Sequence, residues 1–339
     1  MANSIALVGS ESLLGREIRD VVATSAPNFS LRLIAADEEE SGRLTRVGDE
    51  PIAVIALSAE SLLDARAVIL AASADASRKA LEIATDSDQA PAIIDLAFVA
   101  EESPHARLRA PAVEAQAEPD EAEDEESRIH VIAHPAAIAL ALFLRRLHAQ
   151  APIRRSVIQI FAPASEHGKA GVEELQYQTV SLLSFKPLPH AIFDSQLSFS
   201  MLSRYGEEAP KALEEFELRI ERHLASLLAL AGEGEGAPMP SLRMIQAPVF
   251  HGYTFSAWVE FEDEIDVGSL ESSLVAGNIE VRGSDFDPPN NVSQAGQGGI
   301  AVGSIAPDRN APDACWFWLV ADNFRLAAEN AVAVARQLL

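Results

Sequence analysis

The stretch "SIALVGSESLLGREIRDVVA", residues 4–23, reads as a short apolar strand, a turn beginning at Gly9, and a helix with apolar positions at Leu13, Leu14, Ile18, Val21 and Val22. It is a strand–turn–helix unit, and the chain beyond it repeats the alternation. "LRLIAA", "PIAVIAL" and "AVILAAS" read as strands, "SRKALEIATDS" as a helix, and "AIIDLA" and "IHVIAH" as strands. Such alternation implies an α/β fold: a doubly wound, mostly parallel sheet covered on both faces, of the Rossmann kind. The second half changes character. "RSVIQIFAPAS" is a strand, "GKAGVEELQYQTVSLL" and "APKALEEFELRIERHLASLLALAG" are helices, and "GYTFSAWVEFED" alternates as a half-buried antiparallel strand. With "LRMIQAPVF", "IEVRG" and "WFWLVAD" they describe an α+β domain on an antiparallel or mixed sheet. "NFRLAAENAVAVARQLL" is a terminal helix with Asp322 as its N-cap.

Composition narrows the function classes. The 339 residues carry 48% hydrophobic and 23% charged side chains, enough for two domains with cores of their own. A net charge of -25 argues against nucleic-acid binding, which needs clustered Lys and Arg. Apolar runs such as Ala136 to Leu144 fall short of the roughly 20 residues that span a bilayer, and "MANSIALVGS" lacks a basic, cleavable leader, so a cytoplasmic protein off the membrane is expected. The single cysteine, Cys315, excludes an internal disulfide and a multi-cysteine metal site, and its setting "ACWFWLVA" marks it as a core thiol. No metal is expected. Residues 114–128, "EAQAEPDEAEDEESR", read as an acidic flexible loop and "AGEGEGAP", 231–238, as a linker-like loop.

A dinucleotide fingerprint needs three glycines, the middle one so that backbone can touch the pyrophosphate. This chain offers Gly9, Ser12 and Gly15, so the middle position carries a side chain. Where an acid would bind a ribose hydroxyl or an Arg a 2'-phosphate, the chain places Asp37 with Glu38, Glu39 and Glu40. Four carboxylates repel a 2'-phosphate. The residues disfavour NADP, leave NAD sterically admissible, and equally describe a Rossmann domain that holds no nucleotide.

"LAASADASRKAL", "AHPAAIALAL", "ASEHGKAGVEELQYQ", "FKPLPHAIF", "QAPVFHGYTFSAWVEFE" and "WLVADNFRLAAENAVAVA", in that order, resemble aspartate-semialdehyde dehydrogenase over nearly the whole chain. The resemblance implies a Rossmann-like domain at 1–135, a catalytic and dimerisation domain of semialdehyde-dehydrogenase type at 136–321, and a last helix, 322–339, returning to the first domain. It also implies a homodimer, and a reaction that reduces an aspartyl phosphate with NADPH through a cysteine thioester.

The nucleophile of that family follows Asn-Pro-Asn, and here the matching residues are His134, Pro135, Ala136, Ala137 and Ile138. Ala137 stands at the cysteine position. A methyl group forms no thioester, and losing a nucleophile costs on the order of a million-fold in turnover in one acyl-transfer enzyme. Tyr253 falls at the general-base position and Gln246 at the arginine that holds the substrate carboxylate. Tyrosine is a poor base near neutral pH, its ordinary pKa being about 10. Ala162 replaces an active-site glutamine, and an Asn and an Arg are missing from "IIDLAFVA".

Three substitutes remain open: His251, expected to share a strand face with Tyr253; His134, at the old nucleophile turn; and Ser165, with His167 or His251 as its base. These residues admit three functional readings. One is a degenerate, non-catalytic relative with a structural or regulatory role, no cofactor and an unidentified protein partner. Another is an enzyme with a rebuilt site, either an oxidoreductase acting on an aldehyde or oxo group with NAD, or a hydrolase. The third is a sensor for a cationic ligand.

Overall fold

The computed structural model describes residues 4–37, 40–48, 50–86, 90–115, 127–230 and 236–339. Most of the expected acidic loop, and residues 231–235 of the expected linker, lie outside these. The chain divides into two compact units, one holding the chain to Ala133 and the tail from Ala327, the other running from His134 to Leu326. The division falls two residues before the boundary expected at 135, and the returning tail begins at Ala327 rather than at residue 322.

In the first unit, in chain order, stand β1 (Ser4–Val8), α1 (Leu13–Ser25), β2 (Ser30–Ile34), β3 (Leu44–Val47), β4 (Glu50–Ala53), α2 (Ala59–Leu62), β5 (Ala67–Leu70), α3 (Ala74–Thr85), β6 (Ala92–Asp95), β7 (Ala106–Arg109), α4 (Pro111–Glu114) and β8 (Ile129–Ile132). Six of these strands form one sheet in the order β2-β1-β5-β6-β8-β7, every pair parallel. β5 throughout and β1 from Ile5 onward are apolar because both faces are covered: Ile5 to Val8 and Ala67 to Leu70 are all 0% exposed. "PIAVIAL" does not join this sheet. Its residues 51–53 form part of β4, which pairs antiparallel with β3, and only Ile55 bridges to Ile34. Pro51 has no N–H to give to a central ladder.

The second unit contains α5 (Pro135–Gln150), β9 (Ile153–Ala162), a 3-10 turn (Ala164–His167), α6 (Gly168–Leu183), α7 (Leu213–Leu228), β10 (Ser241–Gln246), β11 (Tyr253–Phe261), α8 (Val267–Leu274), β12 (Ile279–Arg282), α9 (Asn291–Gln294), β13 (Ile300–Pro307), β14 (Ala314–Ala321) and the start of α10 (Asn323–Leu338). Its six strands run β10-β9-β11-β14-β13-β12, a mixed sheet in which β10–β9 and β12–β13 are parallel and the other pairs antiparallel. α5 is buried all round from Ala136 to Leu144, with Phe143 edge-on to Phe317 of β14 at 5.1 Å. β11 is buried more deeply than its alternation suggests: Tyr253, Phe255, Ala257, Val259 and Phe261 face the core at 0% exposed, and Glu260 on the other face is covered by Arg154 and Arg155. Cys315 is a free, buried thiol. No helix among the described residues is long and apolar enough to cross a membrane.

On α6, Glu174 is buried and accepts the N–H groups of Ile192 and Phe193, while Gln178 accepts those of Leu197 and Ser198. These two side chains hold the segment after α6 along the helix. Asp322 caps α10 as its sequence position implies, Oδ1 accepting from Phe324 N at 3.0 Å and Arg325 N at 2.9 Å.

Candidate functional site

The second unit begins at the turn that opens α5. Ala136 and Ala137 are fully buried. The Ala136 N–H, one of the donors a helix start leaves unpaired, is taken by Nδ1 of His134 at 3.2 Å, and the His134 N–H donates to Nδ1 of His223 at 2.9 Å. Because Nδ1 of His134 accepts, its proton sits on Nε2, which points at Oε1 of Glu166, 3.0 Å away. The other carboxylate oxygen of Glu166 accepts the Tyr253 hydroxyl. Burial pushes the Glu166 carboxyl up, but His134 and the Tyr253 hydroxyl outweigh it and bring the pKa to about 2. Burial, reinforced by the neighbouring Glu166 charge, drives the Tyr253 phenol well above its ordinary value. Tyr253 therefore holds its proton firmly. Glu166, which gathers both residues, carries no sequence signal beyond its place beside Ser165.

A second chain of hydrogen bonds runs alongside. His167 Nε2 lies 3.0 Å from the Tyr205 hydroxyl, which donates to Oε1 of Gln246 at 2.6 Å. The Gln246 amide nitrogen donates in turn to Ala162 O at 2.9 Å and Ala247 O at 3.2 Å. With its one hydrogen spent on Gln246, the hydroxyl accepts from His167. The imidazole packs among the rings of Phe193, Tyr205 and Phe216, and burial lowers its pKa to about 4, with Glu166 pulling the other way. Gln246 thus spends its polar atoms inside the protein. A cavity of about 330 Å³ opens beyond Tyr205, lined also by Arg204, Glu214, Glu217 and Arg243.

The third cluster joins Ser165, His251, Asp322 and Asn323. Ser165 Oγ is 3.3 Å from His251 Nδ1, and His251 Nε2 is 2.8 Å from Asp322 Oδ1. His251 does not share a strand face with Tyr253, contrary to the sequence expectation. β11 starts at Tyr253, and Gly252, at φ 82, turns the chain between them so that His251 meets Ser165 and Tyr253 meets Glu166. Of the two histidines open as partners for Ser165, His251 stands beside it and His167 turns to Tyr205.

In the first unit, the turn after β1 is closed upon itself. Gly9 has φ 81, and a Cβ on Gly15 would meet Gly9 O at 2.1 Å, so both glycines serve close helix–strand packing. Ser12 fills the position between: its hydroxyl donates to Ala71 O at 2.8 Å and accepts the Gly15 N–H at 2.8 Å. Asp37 accepts the Glu40 N–H at 3.1 Å, and Glu40 accepts the Ala36 N–H at 3.0 Å. Among the described residues no group of three or more His, Cys, Asp or Glu side chains suits a metal ion.

The chain as a whole is similar to known proteins. A model of the semialdehyde dehydrogenase dimerisation domain matches residues 144–326. The chain belongs to the semialdehyde dehydrogenase family. It is 25% identical to an aspartate-semialdehyde dehydrogenase of Rickettsia bellii over 99% of its length and 97% of that protein's. It is 33% identical to a USG-1 protein homolog of Pseudomonas aeruginosa over 62% of each chain. The solved structure of a probable aspartate-semialdehyde dehydrogenase from Pseudomonas aeruginosa superposes with a TM-score of 0.81 at 26% identity, covering 100% of this chain and 98% of that one.

Proposed function

We propose that this chain is a semialdehyde dehydrogenase homologue that no longer carries out NADP-dependent reduction of an aspartyl phosphate and serves as a dimeric structural or regulatory protein. The observation that supports this most is at the start of α5. Ala137 stands where the family's nucleophile falls, and the adjacent helix-start N–H, which would lower a thiol pKa, is capped by His134. Tyr253, at the base position, is buried and donates a hydrogen bond to Glu166. Gln246, at the carboxylate-binding position, is tied to Tyr205 and two carbonyls. The residues of the first unit do not fit NADP: Ser12 takes the N–H and the space that a pyrophosphate needs, and Asp37 and Glu40 stand where a 2'-phosphate needs a cation. The test is a coupled assay of aspartate semialdehyde oxidation with NADP and phosphate. No turnover above background is expected from the native chain or from the Ala137→Cys, Tyr253→His double variant, and native turnover at an ordinary enzyme rate overturns the reading.

For the dimer, the exposed side of α6 and the segment after it offer a surface. Tyr177, Val180, Leu183, Phe185, Phe199 and Met201 are 54–98% exposed. Phe185 and Phe199 hold φ of 55° and 59°, a backbone that large residues seldom adopt. Between residues 177 and 201, Lys186 and Asp194 cancel, in a chain whose net charge is -25. Two copies so strongly acidic meet with least repulsion at a neutral apolar face. The occupant proposed for it is a second copy.

A further inference from the structure

We propose that Ser165, His251 and Asp322 form a nucleophile–base–acid triad that hydrolyses short uncharged acyl esters, a chemistry independent of the family's cysteine. The hydrogen bonds accommodate the arrangement of protons that a triad needs. Asp322 accepts from Phe324 N, Arg325 N and Gly296 N, so it is a carboxylate and takes the Nε2 proton of His251. His251 Nδ1 is then a lone pair, 3.3 Å from Ser165 Oγ. Asn323 gives its carbonyl oxygen to the Gly252 N–H at 3.1 Å and turns Nδ2 to Ser165 Oγ at 3.2 Å. The serine hydrogen has two acceptors in reach, His251 Nδ1 at 3.3 Å and Asn323 Oδ1 at 3.4 Å, and turned to His251 it takes the geometry in which a hydroxyl becomes a nucleophile.

The base is held as firmly as the acid. The Asn291 amide donates to His251 O at 3.2 Å and Gly252 O at 2.6 Å, and the imidazole lies 5.0 Å from the Phe324 ring. Ser165 is only 2% exposed while the His251 side chain is 31% exposed, so an acyl group arrives past the imidazole edge and must be small. The Glu166 carboxylate next along the chain repels acids, which leaves uncharged acyl groups. In the reaction, Oγ bonds to the ester carbonyl carbon as its proton passes to Nδ1. The carbon–alkoxy bond breaks and the alcohol leaves with that proton. Water then attacks the acyl-serine, gives a proton to Nδ1, and releases the carboxylic acid as the serine regains its hydrogen. Asn323 Nδ2, 3.2 Å from Oγ, is the side-chain donor beside the serine that can turn to the carbonyl oxygen as it gains charge.

The test is p-nitrophenyl acetate hydrolysis by the full chain, with mass spectrometric mapping of the adduct after phenylmethanesulfonyl fluoride treatment. Turnover above the buffer rate and an adduct on Ser165 are expected, with turnover falling roughly a hundredfold or more in Ser165→Ala and in His251→Gln. Circular dichroism establishes that the variants remain folded. No turnover by the native chain, or turnover unchanged in folded Ser165→Ala, overturns the triad and leaves the cluster as a clamp on the α10 start. Neither result bears on the semialdehyde assay, so the two readings fail separately.

Discussion

His134 Nε2 and Glu166 Oε1 stand 3.0 Å apart, with the opposite ring nitrogen of the same histidine capping Ala136. One imidazole therefore ties the start of α5 to a buried carboxylate. The start of α5, on which the proposed function rests, is part of a hydrogen-bonded interior network.

Tyr253→Phe keeps the ring and deletes the donor to Glu166. It is expected to cost roughly 1.5–3 kcal/mol, the range for hydrogen bonds to charged groups, read as a lowered midpoint in urea unfolding. A loss below ~0.5 kcal/mol would mean that the hydroxyl contributes nothing to holding Glu166.

Acid should destabilise the second unit in two windows. His167, held near 4 against an ordinary 6.5, is protonated first in the unfolded chain, so its contribution is complete above pH 6.5 and is lost as the pH falls to about 4. Glu166, held near 2 against 4.5, contributes fully above pH 4.5 and loses that contribution as the pH falls toward 2. Each is worth on the order of 3 kcal/mol. In a pH series of denaturation curves, His167→Gln is expected to flatten the upper window and to shrink the lower one only slightly, because the charge of His167 is the smallest of the causes that lower Glu166.

Isothermal titration of the native protein with NADP and NADPH is expected to give no saturable heat, because Ser12 occupies the pyrophosphate approach. A micromolar dissociation constant for either would show that the first unit retains its site.

Gly15→Ala places a Cβ 2.1 Å from Gly9 O, a backbone atom that cannot step aside. Overpacking of this kind costs roughly 1–3 kcal/mol or more, and scanning calorimetry should show a lower transition temperature.

Leu183→Glu with Phe185→Glu puts like charges on the neutral face of α6. Light scattering after gel filtration is expected to show a dimer for the native chain and a monomer for the variant, with matching circular dichroism. A variant that stays dimeric would assign association to another face, such as the sheet surface where Trp258 and Trp316 donate to Asp308.

The sequence by itself determined the architecture of each unit. Apolar runs at β1 and β5 allow only strands covered on both sides, glycines at 9 and 15 allow only a tight strand-to-helix turn, and Asp322 marks where α10 starts. The resemblance also singled out Ala137, Tyr253 and Gln246, on which the proposed function rests. β7 escaped it, since "ARLR" alternates arginine with short apolar residues and pairs only along the edge of the sheet. What the tertiary structure alone decided is which polar groups meet. Glu166 draws together His134 and Tyr253 from 32 and 87 residues away, Tyr205 joins His167 to Gln246, and Asp322 reaches back to His251. Period and composition record which face of an element is buried. They hold no record of which buried donor finds which acceptor, because the packing of elements distant in the chain sets those distances.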